Sequence, residues 1–228
     1  MTVSMKNRFF NPFVGSNYTK GIQSKRVLVV GASFYCDQQA CPYFKRCTDV
    51  EYKDSSEFDS ICPAYQACGG TLHDEPSNAI SDGLPTYQRF ASYLSSKVNK
   101  REYAEVWSYV AFTNYVQFFL PAKPGRYRET RPSDLSERDF EAFNETLREL
   151  QPHIVVIWGC VFNARVREQN AYLIDRSELE RTEWYVCHLQ VPDVAHPIAV
   201  INPYHPSSSA WNSKIADFDR YFREVLKE

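Results

Sequence analysis

Residues 154–158 read IVVIW, an apolar run in which neither alternate face carries a polar residue. Two further runs have the same character, VLVV at 27–30 and IAVI at 198–201, and residues 106–112 are rich in β-branched and aromatic side chains. A strand without alternation is usually buried on both faces, as in a parallel sheet that is covered by helices on each side. These four segments therefore predict the strands of one sheet.

Segments with helical periodicity fall between the predicted strands. Ser136 and Asp139 have the spacing of a capping box, and apolar residues follow them at intervals of three and four, as they also do in 87–94 and 211–222. The alternation of strand and helix predicts a three-layer α/β/α fold with a central, mostly parallel four-stranded sheet. We interpret residues 1–228 as a single domain with a polar, Cys-containing insertion at about 36–82.

The composition is that of an ordinary globular protein. Of 228 residues, 43% are hydrophobic and 24% are charged, which argues against a disordered or fibrous chain. No apolar run is long enough to span a bilayer, and residues 1–10 lack the apolar region of a signal peptide. We therefore expect a cytoplasmic monomer with no membrane partner.

Chemically useful residues follow the predicted strands. Gly31 begins a tight turn that contains Phe34 and Tyr35, Asn114 follows the second strand, and His205 follows the fourth. In an open parallel sheet, ligands bind outside the carboxyl ends of the strands. An amide can contact the edge of a base, an aromatic ring can stack on it, and a histidine can stabilise a developing anion. The predicted ligand is therefore a flat heterocycle.

Four motifs occur in a fixed order along this pattern: FTNYVQ at 112–117, a basic loop at 126–131, LQPHIVVIWG at 150–159 and HPS at 205–207. Their order and spacing resemble those of the uracil-DNA glycosylase superfamily over residues 25–226, nearly the whole chain. Residues 11–18 and 31–36 look more like a divergent branch than like its best-known enzymes. The resemblance implies a uracil-DNA glycosylase-like fold and hydrolysis of the N-glycosidic bond of uracil or another modified base in DNA.

The resemblance also implies roles for individual residues. Asn114 matches the residue that reads the pyrimidine edge, and His205 matches the residue that stabilises the departing base anion. The turn that begins at Gly31 matches the segment that borders the base and positions the attacking water. Phe34 or Tyr35 matches the stacking aromatic residue.

Two groups of residues are expected to contact DNA, single- or double-stranded. The resemblance implies that Ser207 and Ser208, near a helix N-terminus, bind phosphates. The net charge of −2 excludes a uniformly basic coat but leaves room for a local basic surface. Such a surface is either a solvated face or a rim that contacts phosphates. Its members are Lys123, Arg126, Arg128 and Arg131.

The turn after the first strand departs from the superfamily. Members often carry an acidic or amide residue there to orient water, whereas this chain has Ala32 and Ser33. Ser33 is thus the catalytic candidate beside His205, although a serine cannot act as a carboxylate base. Stabilisation of the leaving group alone could still give slow catalysis. Two alternatives stay open: a catalytically weak or inactive nucleic-acid-binding module using the same pocket, and a hydrolase of free nucleosides or nucleotides.

Five of the seven Cys residues fall within 36–68, and the pattern Cys-Pro-x-aromatic-x-x-Cys occurs twice, at 41–47 and 62–68. Without a secretion signal a disulfide framework is not expected, whereas four thiolates suit zinc or an iron–sulfur cluster. Some uracil-DNA glycosylases carry a four-Cys cluster in this part of the fold, but their first Cys pair precedes the first strand. The other interpretation is a set of reduced thiols without a ligand. The predicted metal ligands are Cys41, Cys47, Cys62 and Cys68, with Cys36 able to replace one of them.

Overall fold

The computed structural model describes residues 7–36, 38–44, 47, 56–67, 72–73, 76, 83–122, 130–159, 165–166, 172–175 and 186–227. Its strands are β1 (Phe10–Asn11), β2 (Phe13–Val14), β3 (Val27–Gly31), β4 (Tyr35–Cys36), β5 (Leu72–His73), β6 (Val110–Asn114), β7 (Leu120–Pro121), β8 (Ile154–Ile157), β9 (Val186–Leu189) and β10 (Ile198–Ile201). Its main helices are α1 (Pro63–Ala67), α2 (Pro85–Val98), α3 (Tyr103–Trp107), α4 (Glu137–Leu150) and α5 (Ser209–Val225). Short 3-10 helices lie at Ser56–Ile61 and Pro132–Asp134.

The central sheet has six strands in the order β2-β6-β3-β8-β10-β9. The four inner strands are parallel to one another, while β2 and β9 pair antiparallel at the two edges. The predicted α/β class with a mostly parallel sheet is therefore confirmed. The sheet has two strands more than the predicted four, and these are the edge strands β2 and β9.

Helices cover both faces of this sheet. On one face, Phe90 of α2, Trp107 of α3 and Phe218 of α5 pack into a single core with alternate residues of the strands. On the other face, Phe143 and Leu147 of α4 pack against the remaining alternate residues. This is the three-layer arrangement that the strand patterns predict, because a strand that is buried on both faces needs a helical layer on each.

The prediction of a strand over 106–112 is wrong at its start. Val106 and Trp107 belong to α3, where the Val106 amide donates to the Glu102 carbonyl at 3.0 Å. Both side chains still enter the core, so burial alone could not distinguish a helical turn from a strand. The strand runs from Val110 to Asn114. Asn114 is therefore its last residue and not, as predicted, a residue that follows it.

The capping box predicted for the helix at 136–150 is confirmed. Ser136 Oγ accepts a hydrogen bond from the Asp139 amide at 3.3 Å, and Asp139 Oδ2 accepts one from the Ser136 amide at 2.9 Å. The helix ends at Leu150, and the next residue, Gln151, adopts a left-handed conformation with φ of 46°. Local sequence signals therefore determine where α4 begins, as the motif predicts.

The described part of the Cys-containing insertion is held against the rest of the fold. Strand β5 pairs in parallel with β1, and Asp59 forms a bidentate ion pair with Arg138 of α4 at 2.8 and 2.5 Å. The Arg138 side chain is 2% exposed, and its Nε donates to the Asn7 carbonyl at 2.7 Å. One buried arginine thus connects the insertion, the N-terminal segment and a helix of the main layer.

None of the helices in the described ranges combines the length and the apolar character needed to cross a bilayer.

Two histidines stack at the amino-terminal edge of the sheet, opposite the edge where ligands of parallel sheets bind. The rings of His153 and His196 lie 4.0 Å apart and nearly parallel. His153 Nδ1 accepts a hydrogen bond from the Arg26 amide at 3.1 Å. Burial, followed by the positive charges of His196, Arg26 and Lys25, lowers the pKa of His153 to about 4.

This pKa predicts a loss of stability in acid. In the unfolded chain the imidazole has a pKa of about 6.5, so between about pH 6.5 and pH 4 the unfolded state binds more protons than the folded state. The free energy of unfolding should therefore fall as the pH decreases through this window. Because the ring is only half-buried, solvent screening limits the effect to about 1 kcal/mol. Replacing His153 with Asn keeps an acceptor for the Arg26 amide, and urea denaturation across the window should show a shallower loss. Equal losses in both proteins would contradict the assignment.

Candidate functional site

The carboxyl ends of the four parallel strands meet at one edge of the sheet. Side chains alternate between the two faces along a strand. Phe112 packs into the core beneath α2, α3 and α5. Asn114 lies two residues further along β6 and so faces the same side of the sheet as Phe112. Gly31 on β3 and Trp158 directly after β8 occupy the equivalent positions on this face. Three neighbouring strands thus direct residues of different chemistry to one place.

Asn114 lies directly over Gly31. The two residues are paired across β6 and β3, and a Cβ atom added at Gly31 would stand 2.5 Å from Asn114 Oδ1 and 3.0 Å from the Phe112 ring. Asn114 is 4% exposed. A side chain at position 31 would therefore displace the amide, and glycine is the residue that allows Asn114 to occupy this position.

Gln117 fixes the turn that follows Asn114. Its Nε2 donates to the Asn114 carbonyl at 2.8 Å, and its Oε1 accepts from the Phe9 and Phe10 amides at 2.9 and 3.2 Å. Its own amide donates to Asp139 Oδ1 at 2.6 Å, so the capping box of α4 also supports this turn. Because the Gln117 side chain is buried and makes all of these hydrogen bonds, it holds the backbone of Asn114 in one conformation.

His205 is held by the loop between β10 and α5. Its Nδ1 lies 2.7 Å from Ser207 Oγ, and the Ser207 amide donates to the same nitrogen at 3.3 Å. An amide can only donate, so Nδ1 is an acceptor, and the proton of the neutral imidazole is on Nε2. The Arg89 guanidinium of α2 donates a hydrogen bond to the Pro206 carbonyl at 3.1 Å and so stabilises the conformation of the loop.

Trp158 links this histidine to the rest of the edge. Its ring packs edge-on against His205, with the ring centres 6.0 Å apart, and contacts Phe112 at 5.5 Å and Tyr87 at 5.7 Å. The indole is 1% exposed and belongs to the core, as its sequence context predicts. Trp158 therefore positions His205 by packing against it from the core side, and it does not itself expose a ring face on which a base could stack.

The turn after β3 keeps its shape through its backbone. The Gly31 and Ala32 carbonyls accept from the Tyr115 and Val116 amides, both at 3.0 Å. Ser33 Oγ is buried and finds no hydrogen-bond partner among the described residues. A buried hydroxyl without a partner is unusual in a native protein, which makes Ser33 a position where a water or a ligand atom would be stabilised.

The aromatic residues of this turn lie toward the insertion. Phe34 is half-buried, packs against Phe10 with ring centres 4.6 Å apart, and also contacts Phe119. Tyr35 is half-buried in β4, paired with Leu120. The stacking role that the resemblance implies for Phe34 or Tyr35 stays a prediction.

The residues predicted to contact DNA are only partly described. Arg131 is exposed at the start of the 3-10 helix Pro132–Asp134, whereas Lys123, Arg126 and Arg128 lie outside the described residues. Ser207 is exposed and its hydroxyl is bonded to His205. Ser208 stands at the N-cap position of α5 without a side-chain capping bond, and its buried Oγ has no partner within the described part of the chain.

Four Cys side chains line one pocket beside this edge of the sheet, and three of them belong to the predicted set of four. Cys36, Cys41, Cys47 and Cys62 line one pocket of about 400 Å³, together with Phe118 and Phe119. Burial and the three neighbouring thiols raise the pKa of Cys47 to about 12. Cys68 lies outside the described residues.

Two supporting residues escaped the sequence analysis. Gln117 belongs to the FTNYVQ motif, and an amide so close to a buried strand end was a signal that it satisfies backbone groups there. Arg89 carries no such signal, because its contact with Pro206 joins segments 117 residues apart.

Neither a scan against protein-family models nor a search of curated proteins finds a match to this chain.

Proposed function

We propose that the chain is a DNA glycosylase-like hydrolase that cleaves the N-glycosidic bond of uracil or another modified base in DNA, and that it acts as a cytoplasmic monomer. The observation that carries the proposal is the placement of an amide and an oriented imidazole at one edge of the sheet. Asn114 shares a face with Trp158, and Trp158 contacts His205.

The spacing of the two residues suits a single base. Three strand intervals of about 4.8 Å separate β6 from β10, which places their backbones roughly 14 Å apart. One pyrimidine with a hydrogen bond at each end, plus the two side chains, spans a distance of this order. In this arrangement Asn114 contacts the base edge as donor and acceptor, and His205 approaches from the opposite side.

The chemistry required of His205 matches its tautomer. When the bond between C1′ and the base nitrogen breaks, the electron pair leaves with the base, and negative charge collects on its carbonyl oxygen. A neutral imidazole with its proton on Nε2 donates a hydrogen bond to that oxygen, and the donor becomes more valuable as the charge develops. The water oxygen then bonds to C1′, and the proton that this water loses is taken up by the departing base, which leaves as a neutral molecule.

Ser33 occupies the place where the superfamily often orients this water with a carboxylate. Its buried hydroxyl lacks a partner among the described residues and so can hold a water without removing a proton from it. We therefore expect cleavage to rest on leaving-group stabilisation and to be slow.

The test is incubation with single- and double-stranded oligonucleotides that contain one uracil, followed by alkaline cleavage of any abasic site. We expect strand breaks at the uracil and none in a matched oligonucleotide with thymine. Binding of both DNAs without breaks would overturn the glycosylase proposal in favour of the base-sensing module. Release of uracil from free nucleosides or nucleotides alone would favour the third alternative.

A further inference from the structure

A second pocket lies at the amino-terminal edge of the sheet, at the opposite end of the strands from Asn114 and His205. It has a volume of about 370 Å³, which is within the range of pockets that hold small molecules. Its polar lining residues are Lys25, His153, His188 and His196. They come from separate segments, before β3, before β8, within β9 and before β10. The fold thus gathers one lysine and three imidazoles around one space.

The stacked rings of His153 and His196 form one wall with defined protonation. His196 Nδ1 lies 3.1 Å from the Pro197 carbonyl, which can only accept, so this nitrogen carries the proton. Its Nε2 accepts a hydrogen bond from Arg26 Nη2 at 3.0 Å. His153 Nδ1 accepts from the Arg26 amide, so the proton of its neutral ring is on Nε2. Within the described ranges this Nε2 has no acceptor, and it is therefore a donor available to a ligand.

The positive charge around the pocket is not balanced by a bonded carboxylate. Among the residues that the structure describes, none bonds to or pairs with the Lys25 ammonium. The Arg26 guanidinium donates to the Gln151 carbonyl at 2.7 Å and to His196, and both partners are neutral. Asp175, which follows a lining residue in sequence, is exposed. Two full positive charges therefore act on the pocket.

An opposing contribution comes from helix α5, whose last residue, Val225, lines the pocket. The C-terminal end of a helix carries about half a negative charge. This is smaller than the two charges of Lys25 and Arg26, so the potential in the pocket stays positive. Burial, the neighbouring imidazole and these two charges lower the pKa of His153, so the pocket disfavours a further proton and attracts an anion instead.

The available donors suit a phosphate group better than a carboxylate. The fork of a guanidinium is the group that binds a planar carboxylate in two places, and Arg26 already uses Nε and Nη2 in other bonds. The Lys25 ammonium and His153 Nε2 are separate point donors, and lysine binds phosphates in this way. A tetrahedral anion presents oxygens in several directions and so can accept from both.

The rest of the pocket wall is apolar. Ile174 is 54% exposed, Pro197 is also exposed, and both line the same space as Lys25. Covering an exposed isoleucine removes apolar surface from water, which favours a ligand with an organic body beside its anionic group. A metal ion is not the occupant that this wall fits, because no three His, Cys, Asp or Glu side chains in the described ranges are placed to hold one.

We infer that this pocket binds a small phosphomonoester, with its phosphate on Lys25 and His153 and its organic part against Ile174 and Pro197. The pocket is separate from the edge of the sheet that carries Asn114. The inference rests on this pocket alone and does not depend on the proposed glycosylase activity.

The experiment titrates the full chain with phenyl phosphate and with inorganic phosphate at neutral pH and constant ionic strength. Nitrogen NMR of histidine-labelled protein follows the ring of His153, whose signal is assigned by its loss in His153→Asn. We expect saturable shifts with both probes and tighter binding of phenyl phosphate. Equal shifts on addition of sodium chloride would overturn the inference, and equal affinity for the two probes would overturn the organic part of the ligand.

An oligonucleotide without uracil distinguishes a free phosphomonoester from the backbone of a nucleic acid. We expect it to leave the His153 signal unchanged at concentrations where phenyl phosphate saturates the pocket. Saturation by the oligonucleotide at a lower concentration than phenyl phosphate would assign the pocket to DNA and overturn the proposed ligand.

Substitutions of Lys25 identify the phosphate contact. Lys25→Gln should weaken binding of phenyl phosphate by about tenfold, because a hydrogen bond to a charged group is lost, whereas Lys25→Arg should keep most of the affinity. Lys20→Gln is the matched control, since it removes the same charge from an exposed lysine that bonds to Asn17 outside the pocket. Far-ultraviolet circular dichroism verifies that each variant is folded. Equal weakening in Lys25→Gln and Lys20→Gln would show that only the overall charge matters and would overturn the site.

Discussion

Replacing Asp59 with alanine should lower the free energy of unfolding by about 3–5 kcal/mol, because it removes the bidentate carboxylate partner of a buried guanidinium. Arg138 is 2% exposed, and two of its nitrogens bind the Asp59 carboxylate. Its bond from Nε to the Asn7 carbonyl does not involve Asp59 and would remain. The loss measures the cost of removing one partner from a buried ion pair and not the net value of the pair, since two buried ions are costly to desolvate even when they are well matched.

Urea denaturation at neutral pH measures this effect, with Asp217→Ala as the matched control. Asp217 pairs with Arg220 at 3.7 Å on the exposed side of α5, so its loss should lower the free energy of unfolding by less than about 1 kcal/mol. In a second test, Asp59→Leu combined with Arg138→Met should recover much of the stability, because both charges of the buried pair are then removed. A loss in Asp59→Ala no larger than in the control would show that water reaches Arg138 and that the pair does not anchor the insertion.

The inner sheet could be predicted from sequence because its signal is local. Strand β3 ends one residue later than the VLVV run predicts, and β10 matches the IAVI run at 198–201. Each of these runs is apolar on both faces, and only a strand between two helical layers buries both. The capping box of α4 was equally local, since it needs two residues three positions apart.

The edge strands could not be predicted in the same way. Strand β2 is the pair Phe13–Val14, and Val14 is 47% exposed, so neither length nor alternation distinguishes it from a loop. It forms because its backbone groups pair with β6, about a hundred residues later in the chain. Such a strand is specified by its neighbour and not by its own composition.

The cysteines of the insertion show the same limit more clearly. The repeated Cys-Pro pattern groups Cys62 with Cys68, because equal spacing is the relation that a sequence displays. In the fold, the pairing of Tyr35 with Leu120 carries Cys36 to the pocket from outside the repeat. That pairing joins residues 85 positions apart, so no local pattern records it.

Replacing His205 with alanine should slow release of the base by about 10²–10³-fold while leaving DNA affinity close to that of the wild type. The proposed glycosylase uses His205 Nε2 as a donor to charge that appears only as the bond breaks, so its loss removes stabilisation of the transition state. Single-turnover cleavage of the uracil oligonucleotide measures the rate, and fluorescence anisotropy measures binding. Ser207→Ala keeps the amide that orients Nδ1 and removes only the hydroxyl, so its rate should fall far less.

Asn114 acts earlier and should give the opposite pattern. Its amide contacts the base before the bond breaks, so Asn114→Ala should reduce discrimination between uracil and other bases by about 1–3 kcal/mol. Gly31→Ala tests the same contact without altering the amide, because the added Cβ would stand 2.5 Å from Asn114 Oδ1 and displace it. The backbone of Gly31 does not need a positive φ, so the fold should persist and the selectivity should match that of Asn114→Ala. If His205→Ala cleaves at the wild-type rate while both other variants lose selectivity, the edge recognises a base but the histidine does not assist its departure.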